Sequence, residues 1–171
     1  MTYLIFSLVL FFLFSIQTTL LRMFSLAGVV PDLILIVAVY CGIHSKKNSG
    51  IWLAILIGFF QDCLSGGLLG VNSLSKGLAG LFFYSLKDKI IVEGTVPISF
   101  FIFVTSLVDG MICFLAMIIL LGGQVKGGFF FSSLILFGIY NAVVAPFLFY
   151  LFSKGRQWVH LKFPSQALKT I

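Results

Sequence analysis

The sequence predicts an all-α, polytopic membrane protein of six transmembrane helices, and three observations carry that expectation. Hydrophobic residues make up 60% of the 171-residue chain and charged residues only 9%, whereas a soluble domain is about half apolar and about a quarter charged. Mean hydropathy is +1.17, and with 21 Phe the apolar side chains exceed what one small core can hold, so lipid must solvate the remainder. The apolar residues are also gathered into six runs separated by short polar or glycine-rich segments.

The first run, Tyr3 to Leu21, has 19 residues, about 28 Å as a helix and enough to cross a bilayer core. No basic residue precedes it and no A-x-A site follows, so a retained anchor is expected rather than a cleaved signal peptide. The second run opens at Pro31-Asp32-Leu33, with Pro suited to a first helical turn and Asp32 favourable at the positive end of the helix dipole. It ends by His44 after only 14 residues, which leaves a full span and a re-entrant segment both open. Residues 51–64 and 72–86 follow as a helical hairpin around the uncharged segment 65–71. Residues 97–121 and 129–152 are both long enough to span, the latter interrupted by Asn141 and Pro146. The reading is one integral membrane domain over 1–171, with a basic tail at 153–171.

Orientation follows from the basic residues. Of eleven Lys and Arg, eight fall in the loops at 44–50 and 87–96 and in the tail. Arg22 and Lys126 fall on the other side, and Lys76 lies within the fourth run. Both termini are therefore expected in the cytoplasm by the positive-inside rule. Lys154 and Arg156, with Trp158 close by, fit either an interfacial anchor on anionic lipid or a plain stop signal before a disordered end. Because the basic residues lie between and after apolar runs rather than in a patch, no nucleic-acid partner is expected despite the net charge of +6.

Chemistry is sparse. Cys41, Cys63 and Cys113 lie in apolar stretches without CxxC or Cys/His spacing, so neither a disulfide framework nor a metal site is suggested. His44 and His160 lack carboxylate neighbours at ligand spacing and are read as solvated interfacial residues. A G-x-S-x-G elbow, an H-E-x-x-H helix and a P-loop are missing from the sequence. No catalytic residue, cofactor or small-molecule substrate is expected. What remains is a set of polar groups inside apolar runs: Gln17, Asp62, Lys76, Asp109 and Asn141. Counted along their helices, Asp62, Asp109 and Asn141 lie about 16 to 18 Å deep, where an unpaired charge costs at least ~2.5 kcal/mol. For Asp62 three readings stay open: a wet carboxylate at a helix end, a buried partner of Lys76 or Asn141, and a proton- or ligand-handling group. Asp109 is expected to be buried and partnered, with Lys76 or Asn141 as candidates. Gly42, Gly50 and Gly58 recur every eight residues, with Gly70, Gly77 and Gly80 beyond, a pattern suited to close helix packing.

These residues bring a family into view. Pro31-Asp32-Leu33-Ile34-Leu35 opening a span, Gly42 and Gly50 around a basic loop, and Gly58-Phe59-Phe60-Gln61-Asp62 followed by Gly66 and Leu69-Gly70 resemble the MreD family of bacterial rod shape-determining membrane proteins. One departure is Phe59-Phe60-Gln61, where the family often has a Gly-Leu pair a little before the Asp. The resemblance implies a non-enzymatic subunit of the elongation machinery in the bacterial inner membrane. It also implies MreC, MreB, RodA and penicillin-binding protein 2 as partners, and a fold similar to the substrate-binding subunits of energy-coupling-factor transporters. Such a vitamin or metal transporter subunit is the alternative reading. Against it, Ser7 and Ser15 in the first run are eight residues apart, not four, and the segment 65–71 offers only Ser65 as a polar ligand group.

Overall fold

The computed structural model of the chain describes residues 10–20, 25, 28–45, 49–65, 68–87, 94–121 and 127–162. Every regular element among them is a helix. Helix α1 covers residues 10–20, its last turn Ile16–Leu20 being wound as π-helix. It is followed by α2 (Leu33–His44), α3 (Ser49–Ser65), α4 (Val71–Leu86), α5 (Thr95–Leu121) and α6 (Gly127–Lys162). The expected start of the first run at Tyr3 lies outside the described residues, as do most of the basic loop residues.

The second run becomes a core helix. Asp32 adopts an extended backbone and its Oδ1 accepts from Ile34 N at 3.0 Å and Leu35 N at 3.1 Å, satisfying donors that a helix start leaves orphaned. Ser45 ends the helix, its N–H donating to Cys41 O at 3.0 Å. At 12 residues, α2 is about 18 Å long. Every residue from Leu33 to Val39 is at most 5% exposed, so α2 is apolar all round and enclosed by its neighbours.

Around it the chain packs as two bodies. Helices α3 and α4 form a hairpin against α2, and α5 pairs with α6 in a second hairpin that touches the first body more sparingly. Glycine sets the spacing in the first body. A Cβ on Gly58 would sit 2.5 Å from Asn72 O, and one on Gly42 would sit 2.8 Å from Gly80 O, so no larger residue fits without moving backbone. Gly70, at φ 94, turns the chain into α4 in a conformation that side chains with a Cβ disfavour.

In the second body, Phe114 and Phe130 stack with centroids 3.7 Å apart, and a Cβ on Gly138 would meet Phe103 at 2.9 Å. Pro146 lies inside α6 and has no N–H to give to Ala142, four residues earlier. The Ser99 hydroxyl of α5 donates to Ala142 O at 2.9 Å instead, so the second hairpin repairs its own helix break. Among the described residues, α5 and α6 are the helices long and apolar enough, by length and composition, to cross a membrane unaided. Large apolar residues face outward along them, Ile119 at 76% and Val143 at 71% exposure among them. Helix α6 also continues past Phe152 through Lys154 and Arg156 to Lys162, so the first part of the basic tail is helical.

Candidate functional site

Where the two bodies meet, Lys76 is fully buried. It is the sixth residue of α4, and its long stem carries the ammonium into the bundle, where the sequence offered it as a partner of Asp109. Nζ contacts Asn72 Oδ1 at 2.7 Å, Asp32 Oδ2 at 2.8 Å and Asp109 Oδ1 at 3.1 Å. An ammonium has three donors, and all three are used.

Asp32 is the hub. Its Oδ1 also accepts from Gln17 Nε2 at 3.0 Å, and its Oδ2 from Gln61 Nε2 at 3.1 Å. Its own N–H donates to Asn141 Oδ1 at 2.7 Å. Through these bonds one residue is tied to α1, α3, α4 and α6 as well as to its own helix. Helix α5 joins through Asp109, which binds Lys76 and the Ser75 hydroxyl, and through Ser106, whose Oγ accepts from Asn141 Nδ2 at 2.9 Å. Asp109 is the fifteenth of the 27 residues of α5, so α2 begins level with the middle of that helix. Its N-terminus is thus inside the bundle rather than at its surface.

Asp62 corrects an expectation. It is 1% exposed, so it is not a wet carboxylate, and it binds neither Lys76 nor Asn141. Its Oδ2 accepts from Gly70 N at 2.9 Å and Ser73 N at 3.0 Å, and its Oδ1 from Asn72 N at 3.0 Å and Asn72 Nδ2 at 2.9 Å. It therefore caps α4 from the end of α3, supplying the anion that a helix N-terminus favours. Asn72 connects the two clusters, because its amide donates to Asp62 while its carbonyl receives Lys76.

The other sequence candidates have structural places. Pro31 is fully buried beside Asp32, Gly58 admits the start of α4, and Gly70 makes the turn that aims its N–H at Asp62. Asn141 does not reach Asp109 and serves Asp32 and Ser106 instead. Ser75, Asn72 and Ser106 were not singled out from sequence, and Gln61 stood out only as part of the departure from the family pattern. Among the described residues, no group of three or more His, Cys, Asp or Glu side chains is placed to hold a metal ion. The carboxylates are occupied by donors of the protein itself, and the arrangement binds six helices together.

Six helices, an apolar exterior and an ion-paired polar network sealed among them are the marks of an α-helical membrane protein. The comparison with protein families takes the assignment further. The family model described as rod shape-determining protein MreD matches residues 1–155, and the chain belongs to that family. It is accordingly a rod-shape membrane protein of the cell-shape machinery, and the match gives no support to the transporter-subunit alternative. No curated protein and no solved structure matches the chain.

Proposed function

We propose that the chain is a non-enzymatic scaffold subunit of the bacterial elongation machinery, crossing the inner membrane six times with both termini in the cytoplasm. Family membership over residues 1–155 carries this reading. The internal network is consistent with it, because Lys76, Asp32 and Asp62 are saturated by the protein's own groups and serve to fix the helices rather than to hold a substrate. On this reading the partners implied by the family, MreC, MreB, RodA and penicillin-binding protein 2, meet the chain through outer helix faces, short loops and the basic end of α6. Its single membrane domain would share the architecture of the substrate-binding subunits of energy-coupling-factor transporters without their cargo.

A pull-down with tagged full-length protein tests the proposal. Recovery of wall-synthesis proteins, with rounding of rod-shaped cells on depletion, is the expected outcome. Saturable tight binding of a vitamin or metal by the purified chain would overturn it.

A further inference from the structure

Lys87 just after α4, His44 in the last turn of α2 and Arg156 of α6 lie at the end of the bundle where α2 and α4 finish and α6 passes. Lys87, the residue after α4, donates from Nζ to Ser45 O at 2.9 Å. It thus sits over the C-terminus of α2, where a helix carries partial negative charge. Its ammonium also lies 4.1 Å from the Tyr84 ring centre. His44, in the last turn of α2, stacks on Tyr40 with centroids 4.1 Å apart and engages Tyr40 O through Nδ1 at 3.2 Å. Tyr40 in turn meets Phe149 and Phe152 of α6, each at 5.3 Å. One turn beyond Phe152, and so on the same side of α6, Arg156 is exposed.

On the proposed six-span orientation, on which this inference rests, charge at this end is unbalanced in the sequence. The eight basic residues that the sequence assigns to it stand against Asp88 and Glu93, a surplus equal to the chain's whole net charge of +6. The remaining Arg22, Lys76 and Lys126 match Asp32, Asp62 and Asp109 in number. All three acidic residues that the structure describes are buried in the internal network, so none is at this rim.

We propose that the rim centred on Lys87, His44 and Arg156 is a contact surface for the phosphate-bearing headgroups of anionic phospholipids. Two observations favour a lipid over a free phosphate. Exposed Tyr150 lies one turn before Lys154, whose ammonium is 5.8 Å from its ring, the aromatic and basic pairing suited to headgroup depth. These two residues, with exposed Phe147 and Leu151, lie on the outer face of α6, away from Tyr40, and they set this end of the bundle at the depth where acyl chains give way to headgroups.

The test uses the full-length chain in neutral detergent, titrated with short-chain phosphatidylglycerol, phosphatidylcholine or inorganic phosphate while thermal unfolding is followed. Phosphatidylglycerol should raise the melting temperature saturably, and the other two should not. Arg156→Gln, at an exposed position, should keep the lipid-free melting temperature and weaken the apparent phosphatidylglycerol affinity about fivefold. Lys87→Gln should weaken it by a similar factor, and the two together about thirtyfold. An equal shift with phosphatidylcholine, a full shift with phosphate alone, or unchanged phosphatidylglycerol affinity in Arg156→Gln would each overturn the proposal.

Discussion

Replacing Lys76 with Met keeps the length of the side chain and removes its charge, leaving Asp32 and Asp109 without their shared cation. Two effects can be separated by size. Three lost hydrogen bonds at roughly 0.6 kcal/mol each, the average inside a membrane protein, amount to about 2 kcal/mol. Stranding a buried carboxylate by deleting its partner costs about 3–5 kcal/mol. The geometry says which carboxylate suffers: Asp32 keeps Gln17, Gln61 and two backbone N–H groups, while Asp109 keeps only Ser75 among the described residues. Lys76→Met should therefore lose more than 3 kcal/mol of stability. Adding Asp109→Leu to it should recover much of that loss, and adding Asp32→Leu should not. Reversible unfolding in mixed micelles, followed by far-ultraviolet circular dichroism, measures all three variants. A single variant within 1 kcal/mol of the parent, or a Lys76→Met/Asp109→Leu double variant no more stable than Lys76→Met, would refute the charge-stranding account.

The same titration reaches the cap on α4: Asp62→Ala should cost about 2 kcal/mol through its orphaned N–H donors, with Asp62→Asn milder. Ser99→Ala should cost about 1 kcal/mol by freeing the Ala142 carbonyl. That cost should shrink in a Pro146→Ala background, where the helix supplies its own N–H, and an unchanged cost there would disprove the repair. Reporter fusions after Ile171 and within residues 123–128 should report opposite sides of the membrane, and finding both on one side would overturn the six-span orientation.

Much of the polar interior was legible because charge in an apolar run is expensive and stands out. Lys76, Asp109 and Asn141 are conspicuous for that reason, and Pro31-Asp32 announced the start of α2. The pairing was legible in part: Lys76 stood out as a candidate partner of Asp109, which it meets at 3.1 Å, but nothing in the sequence placed Asp32 beside it. Lys76 starts only about 8 Å into α4 by rise per residue, and the reach of its four-carbon stem brings the ammonium the rest of the way. Asp62 was misplaced because its partners are backbone N–H groups of a turn eight to eleven residues later, and no residue type advertises them. Ser75 and Ser106 gave no signal at all, since a hydroxyl in an apolar helix usually returns to its own backbone, as Thr105 does to Phe101 O at 2.7 Å. The sequence left α2 between a short span and a re-entrant segment, and only its surroundings reveal a helix that begins halfway along its neighbours.

The position of α2 bears on how the chain is made. A helix about 18 Å long, headed by a carboxylate, is too short for a hydrocarbon layer of about 30 Å and is poorly tolerated by lipid. During synthesis it emerges second, yet its ammonium partner arrives 44 residues later and Asn141 only after 109. Until α6 is in place, Asp32 has an unpaired N–H and the α2 start has an open side. On the six-span reading, a chain cut short before α6, or one whose second hairpin fails to dock, would expose that polar end within the bilayer. The earliest charge in the sequence to enter the interior is thus a marker of whether the last helix has arrived.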